Sequence, residues 1–295
     1  RKALEGHTAT LGPDHADTLT SLNNLAALLQ SMGNLTEAEE LFHRALKRRV
    51  ATLGAEHPET LDSLNGLASV LQSLRRFEEA EALLQQALDY QEARLGSSHP
   101  STLESIRRLA RVRQVMGRAE EALPLMRQEV DILAESVGNA HPSTLQALNG
   151  LASLLQEIGR EEEAEPLLRV AWEGQLELSG PEHPSVLASL NNLAVLLRKL
   201  GKYAEAETLQ RRALEECQAA LGPDHAETLT SLSNLATLLE VMGKGEVSEP
   251  LHRRALAGQE KTLGPTHPST LTSIQNLATL LKALGRREAA EPLQR

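Results

Sequence analysis

Aromatic side chains are almost absent from this sequence of 295 residues, which contains two Phe, two Tyr and one Trp. A core built on stacked rings is therefore excluded. The hydrophobic content of 41 % comes mainly from Leu and Ala, which favour helices. We expect an interior of helices that approach one another closely at alanine, and no stretch has the pattern of a β-strand.

Cysteine and long apolar runs are also scarce. The single cysteine, Cys217, excludes an internal disulfide framework and suits a reducing compartment, where we expect it to be a structural thiol. No apolar run approaches the ~20 residues that a membrane helix requires. No secretory signal opens the chain. These absences predict a cytoplasmic protein with no membrane partner.

Basic residues are outnumbered, with 30 Lys and Arg against 40 Asp and Glu, so the net charge is −10. This balance weighs against nucleic acid as a partner, because phosphate neutralisation needs concentrated positive charge. The sequence also lacks a glycine-rich phosphate loop, a nucleophile elbow and a paired metal motif. We therefore expect neither enzymatic activity nor a cofactor.

One motif recurs along the whole chain, and its form at residues 180–194 is GPEHPSVLASLNNLA. Its histidine returns every 42 residues without an insertion, a period typical of stacked repeats that bury their apolar faces against their neighbours. The spacing predicts one array over residues 1–295. Because both ends fall inside a repeat, we expect a fragment of a longer array or self-association through open repeat ends. The histidines are His15, His57, His99, His141, His183, His225 and His267.

Each repeat predicts two helices. In the first repeat, helix A is expected at about residues 15–32, ending at Gly33, and helix B runs to about Leu53 after a capping box formed by Thr36 and Glu39. The recurring histidine is expected to cap a helix or turn, because one histidine per repeat does not supply the converging ligands of a metal site. The apolar positions of helix A are Leu22, Leu25, Ala26 and Leu29.

Two glycine and proline patterns recur in helix B. Prolines near the helix start are expected to be tolerated, whereas glycines deeper in the helix indicate either close helix contact or a hinge. The prolines are Pro124, Pro166, Pro250 and Pro292, and the glycines are Gly6, Gly174 and Gly258.

The run Leu22-Asn23-Asn24-Leu25-Ala26, followed by Gly33, Ala38 and Ala45-Leu46, resembles the tetratricopeptide repeat. The 42-residue form LGxxHPxTLxSLNNLAxLL is similar to the repeat of kinesin light chains. The resemblance implies an all-α fold, a right-handed superhelical solenoid of about seven helix-turn-helix repeats. It also implies a concave groove, lined mainly by helix A, that binds extended segments of a protein partner. The aromatic residues common at two helix A positions of that family are missing.

Asparagines recur at the positions that the resemblance assigns to the groove, on the helix face away from the leucines. Their amides would hold the main chain of an extended ligand. The alternative is that they bond neighbouring helices. They are Asn23, Asn24, Asn65, Asn149, Asn191, Asn192, Asn234 and Asn276.

The third repeat breaks this asparagine ladder with Arg107, Arg108 and Arg111. Three guanidinium groups on one inner helix face indicate a receptor for an acidic peptide or a terminal carboxylate. Arg198 and Lys199 would extend the basic strip two repeats later. The alternative is a solvated run of charge, paired with Glu104.

The third repeat also places charge at core positions. Arg113 stands where other repeats have Leu, and Glu129 where they have Ala. An unpaired buried charge is costly, so we expect these two side chains to form an ion pair.

The features together predict a non-catalytic scaffold that binds an extended, acidic segment of a protein partner. Two alternatives remain open. The array would be a structural or assembly subunit docked by its outer surface or ends, or the sensor region of a larger signalling enzyme that hydrolyses nucleotides.

Overall fold

The computed structural model describes residues 1–293, and the regular structure of this part is entirely helical. The chain divides into two compact units, Arg1–Gly138 and Asn139–Arg295. The prediction of one uninterrupted array therefore stays a prediction. None of the described helices is long and apolar enough to cross a membrane.

Helices of 16 residues alternate with helices of 19, as the repeat predicts. The first unit contains α1 (Lys2–Leu11), α2 (Ala16–Ser31), α3 (Leu35–Leu53), α4 (Pro58–Ser73), α5 (Phe77–Leu95), α6 (Pro100–Val115) and α7 (Ala119–Val137). The second contains α8 (Pro142–Glu157), α9 (Glu161–Ser179), α10 (Pro184–Lys199), α11 (Tyr203–Leu221), α12 (Ala226–Val241), α13 (Gly245–Leu263), α14 (Pro268–Ala283), α15 (Arg287–Ala290) and a 3₁₀ turn, Glu291–Leu293.

Every helix A begins at the recurring histidine, which confirms its expected capping role. The histidine backbone is extended, and its Nδ1 accepts a hydrogen bond from the backbone N–H two residues later, at 3.2–3.3 Å. This bond satisfies one of the free N–H groups of the first turn. Proline follows the histidine in five of the seven repeats, where it has no N–H to lose.

Helix A ends at a residue with a left-handed backbone. Gly33 has a φ of 82°, and the next N–H, of Asn34, returns to the carbonyl of Leu29 at 2.8 Å. Glycine occupies this position in the other repeats except the second, where Arg75 adopts a φ of 62°. The left-handed backbone therefore occurs at this position whichever residue is present, and Arg75 incurs the steric strain that glycine avoids.

Helix B begins earlier than predicted. It starts at Leu35, directly after the tight turn, so Thr36 lies inside its first turn and the predicted capping box of Thr36 and Glu39 was wrong. The left-handed turn at Gly33 leaves too little chain for a separate cap further on. Asn34 is the N-cap residue but makes no side-chain capping bond, and the helix ends before Gly54 as expected.

Two of the helix B glycines are sites of close helix contact. A Cβ on Gly174 would lie 2.7 Å from Leu145 Cδ2, and one on Gly258 would lie 2.4 Å from Leu229 Cδ2. Gly6 has no such neighbour. Pro124, like its counterparts in α9 and α13, lies within its helix.

The core consists of leucines and alanines between each helix A and the adjoining helix B. In the first unit Leu61 and Leu64 pack with Ala87, and in the second Leu256, Leu277 and Ala290 form another cluster. Small alanine side chains let the helices approach closely without aromatic rings.

Ion pairs join successive B helices and were missed by the sequence analysis. The basic N-cap residue of a helix B reaches a glutamate 37 residues earlier, as in Lys202 to Glu165 at 2.7 Å and Lys244 to Glu207 at 2.8 Å. We call the set the helix B rail. Its other pairs are Arg76 with Glu39, Arg118 with Glu81, and Arg286 with Glu249.

Candidate functional site

The asparagine ladder divides into two structural positions. At the first, side chains bond to the next repeat: Asn23 Oδ1 accepts from Ser63 Oγ at 2.9 Å. Asn191 is 4 % exposed, donates to Ser231 Oγ at 2.7 Å and accepts from Gln210 Nε2 at 2.7 Å. For these two residues the alternative interpretation, bonding between helices, describes the structure.

In the described part of the chain, the remaining asparagines of the first position do not bond to the next repeat through their side chains. Asn149 donates to its own helix, at Leu145 O, over 3.0 Å. The backbone carbonyl of Asn65 accepts a long bond from Arg108 Nη1 at 3.5 Å.

The side chains of the second ladder position differ from those of the first. Asn24 and Asn192 are exposed, and Asn234 and Asn276 are half-buried. Within residues 1–293 none of these four amides has a hydrogen-bond partner, so both their donors and their acceptors are available. We call these four residues the open asparagines.

Each unit has a cavity on its helix A face. The cavity of the first unit has a volume of about 810 Å³. It is lined mainly by residues of α2, α4 and α6, including Asn24 and Arg108, with a few residues of α3 and α5 such as Phe42 and Gln91. The cavity of the second unit is smaller, about 370 Å³, and its lining includes Asn149, Asn192 and Lys199. Ladder residues therefore line a concave surface in both units.

The three arginines of the third repeat differ in their partners. Arg107 binds the buried carboxylate of Glu129, and Arg108 donates to Glu104 Oε1 at 2.8 Å. Arg111 is exposed and has no ion-pair partner in the described part of the chain. The cluster exists on one helix, but two of its three charges are already paired.

The predicted ion pair between Arg113 and Glu129 was wrong. Arg113 Nε donates to Glu81 Oε1 at 2.9 Å, and Glu129 is bound by Arg107 instead. The two helices form a hairpin, so residues at equal distances from the turn face each other. Arg113 lies near the turn, within 3.2 Å of the carbonyl of Glu121, whereas Glu129 lies about two helical turns further along α7.

The two acidic partners have opposite pKa shifts. Burial raises the pKa of Glu129, against the opposing effect of the hydrogen bond from Arg107. Burial alone would also raise the pKa of Glu81, but hydrogen bonds from Arg113 and Arg118 lower it below its usual range. Glu129 is thus the more costly charge to keep in the core.

The second basic pair lies on α10 in the second unit. Arg198 is half-buried and has no partner among the described residues, and Lys199 Nζ lies 3.5 Å from Gln156 Oε1. The proposed extension of the basic strip from α6 to α10 stays a prediction.

A buried polar position of helix B also escaped the sequence analysis. Arg49, which is 2 % exposed, donates to Ser63 Oγ at 2.9 Å, and Cys217 Sγ lies 3.5 Å from Ser231 Oγ. The shared spacing of 14 residues between the two groups was the available signal. Gln91 occupies the same position in α5.

Comparison with known proteins identifies the class. The tetratricopeptide repeat family model matches residues 17–93, 59–130, 101–177, 171–215, 185–244 and 228–295. The chain belongs to the tetratricopeptide repeat family. Its fold is that of a helical scaffold for protein or peptide partners, a class that is generally non-catalytic. A search of the curated proteins finds no match.

The solved structures define the type of repeat as kinesin-light-chain-like. Two structures of a Podosopora anserina protein, described as a putative kinesin light chain with nearly identical TPR-like repeats, are 33 % and 34 % identical. Their TM-scores are 0.64 and 0.63, and each covers 70 % of this chain and 98 % of the other. BtubC (BKLC) from P. vanneervenii is 26 % identical with a TM-score of 0.62, over 74 % of this chain and 87 % of that one.

Proposed function

We propose that the chain binds an extended segment of a protein partner along its helix A faces. The observation that carries the proposal is the set of open asparagines, which recurs at one repeat position with unused donors and acceptors. An extended peptide has its own unpaired N–H and C=O groups, which such amides would satisfy without selecting its side chains.

The charge of the groove favours acidic segments. Arg111 and Arg198 have no ion-pair partner in the described chain, and Lys199 is exposed with one long contact to an amide. Because these charges face solvent, their attraction for carboxylates is screened by salt. Binding should therefore weaken as ionic strength rises.

The experiment tests the open asparagines as a group. Asn24, Asn192, Asn234 and Asn276 are changed together to Ala, the strongest helix former, and fluorescent peptides selected from a random display library are titrated into both proteins. The control changes Thr52 and Thr208 to Ala, since both are exposed on helix B and bond only to their own helix. Loss of binding in the asparagine variant alone supports the groove, and equal binding in all three proteins contradicts it.

A second variant tests the preference for acid. Arg108→Asn with Arg111→Ser uses residues found at these positions in other repeats and leaves the Arg107 partner of Glu129 in place. Acidic peptides should lose affinity and neutral peptides should not. If no peptide binds at all, the structural or assembly role, including self-association, becomes the better hypothesis, and a concentration series in sedimentation then tests it.

A further inference from the structure

We propose that the first-unit cavity binds a basic side chain, Lys or Arg, of the partner segment. The inference rests on the proposed peptide-binding function and adds a residue class that the segment must contain. It locates this residue between α4 and α6, in a cavity whose lining includes Arg108. The exposed Arg111 lies about one helical turn further along α6 and would contact acidic residues of the same segment.

Two residues of the cavity lining have a buried hydrogen-bond acceptor without a donor in the described part of the chain. Gln91 is 1 % exposed, and its Oε1 has no hydrogen-bond partner in residues 1–293 although the residue lines the cavity. The Oδ1 of Asn65, another lining residue, is buried and equally unpartnered within that range. A buried acceptor left unpaired costs about 1–3 kcal/mol, so a ligand that brings N–H donors gains affinity here.

Two carboxylates line the same cavity. Asp62 and Glu104 occupy one repeat position, and both line this cavity. No other repeat has an acidic residue at this position, so negative charge at this position is confined to α4 and α6, which both line this cavity. The other residues at the position are Thr20, Gln146, Ala188, Thr230 and Thr272.

The carboxylate of Glu104 has acceptor sites that the described residues leave free. Its Oε1 accepts from Arg108 at 2.8 Å, and its Oε2 lies 3.9 Å from Arg107. A carboxylate has about four acceptor sites, so Glu104 can accept a further donor. Asp62 is exposed at the cavity wall and influences the buried Arg49 only as a nearby charge.

The walls suit the stem of a long side chain. Leu61 and Leu95 are part of the lining, and so is the ring of Phe42. The ring packs against Gly66, where a Cβ would come within 2.2 Å of Phe42 Cε1. Lysine and arginine combine a run of methylene groups with a donor-rich charged head, which matches apolar walls with acceptors and carboxylates.

The first test uses small probes rather than a peptide. ¹⁵N-labelled whole chain is titrated with N-acetyl-lysine N-methylamide and, separately, with the norleucine analogue, which has the same stem without the ammonium group. The side-chain amide signals of Asn65 and Gln91 should shift with the lysine probe and not with the norleucine probe. The amide signals of Asn149 and Gln175 at the equivalent positions of the second unit should stay unchanged.

Variants drawn from other repeats supply the controls. Asp62→Thr copies Thr20, and Gln91→Leu copies Leu133, so both residues are already accepted at these positions. Asp62→Thr should weaken lysine-probe binding about two- to five-fold, the effect of losing one partly exposed charge partner. Gln91→Leu should weaken it further, provided that its helical circular dichroism matches the wild type.

The outcomes separate this inference from the proposed function. Equal shifts with the lysine and norleucine probes, or no shift with either, overturn the basic-residue proposal. If peptides bind through the open asparagines but show no preference for Lys or Arg, the function stands and this inference is wrong. If the lysine probe binds as described but no peptide does, the cavity is confirmed and the peptide-binding function is wrong.

Discussion

The charged residues at two core positions each have an ion-pair partner of their own. Glu129 replaces a small alanine and is 4 % exposed, yet Arg107 reaches it from the facing helix. Arg113 replaces a leucine and turns to the preceding helix B, at Glu81. Glu129 and Arg113 therefore belong to two separate ion pairs, and loss of one partner should affect only one of them.

A double-mutant cycle tests the pairing of Arg107 with Glu129. Arg107→Asn should destabilise by about 1–3 kcal/mol, because it leaves a buried carboxylate without its donor. Adding Glu129→Ala should recover most of this loss, since other repeats carry Asn and Ala at these positions. The free energy of unfolding in urea at about pH 7 measures both effects, and strictly additive changes would contradict the pair. Arg113→Leu combined with Glu129→Ala is the additive control.

The pH dependence of this cycle has a defined sign. Burial raises the pKa of Glu129 in the folded state. Its unfavourable contribution to stability is therefore absent below the pKa of the unfolded state, grows as pH rises towards the folded-state pKa and is complete above it. The destabilisation by Arg107→Asn should therefore shrink in acid. A loss that grows in acid would show that Glu129 is not the group left unpaired.

Arg75 offers a stabilising substitution. Arg75→Gly should raise the free energy of unfolding by about 0.5–1 kcal/mol, because a φ of 62° is strained for a residue with a Cβ. The arginine side chain is exposed and has no partner in the described residues, so its removal sacrifices no contact. The converse change, Gly159→Arg, should destabilise by a similar amount in thermal or urea unfolding. Equal stability of the wild type and the Arg75→Gly variant would show that the turn is not strained.

At the scale of the element, each helix A begins at a histidine whose ring caps the first turn, as where His141 Nδ1 accepts a hydrogen bond from the backbone N–H of Ser143 at 3.2 Å. The same bond occurs at all seven histidines, so the helix starts share one requirement.

Substitution at one cap measures its contribution. His141→Ala should destabilise by about 1 kcal/mol, and His141→Asn by much less, because the asparagine side chain also supplies an acceptor for the backbone N–H. The measurement is urea unfolding followed by circular dichroism at neutral pH. Equal stability of the Ala and Asn variants would contradict a capping role.

At the scale of the whole molecule, the helix B rail repeats in both units. Hydrogen bonds from Lys244 and Arg211 lower the pKa of Glu207. Burial alone would raise the pKa of Glu165, but hydrogen bonds from Lys202 and Arg169 lower it. Successive repeats are thus held by charge on the B helices in addition to the leucine and alanine core.

Acid should weaken the ion pairs of the helix B rail. A depressed folded pKa stabilises the fold above the ordinary glutamate value of ~4.3, and the contribution is lost as pH falls through the lowered pKa. Lys202→Met with Lys244→Met should therefore reduce the loss of stability between about pH 5 and about pH 3. Each exposed link contributes less than ~1 kcal/mol, so urea unfolding is compared at low salt, where the effect is largest. An unchanged acid sensitivity would show that the rail contributes nothing measurable.

The sequence by itself determined the repeat, the alternation of two helices and the place of each cap at the start of helix A. These follow from local physics: a period of 42, leucines at helical spacing, and a histidine and a glycine at the helix ends. It also located the asparagine positions that line the two cavities. The repetition makes such inferences robust, because each position is sampled up to seven times.

The tertiary structure decided which polar side chains are used by the fold. Asn23 and Asn24 are adjacent in the sequence, yet Asn23 bonds to Ser63 of the next repeat, whereas Asn24 has no partner in the described chain. Arg113 and Glu129 likewise looked suited to each other, but the hairpin register places Arg107 opposite Glu129. The distance between two side chains across packed helices determines whether they bond. A displacement of one helical turn, about 5.4 Å, is longer than a hydrogen bond. Local patterns therefore determined the elements, and packing alone determined their polar contacts.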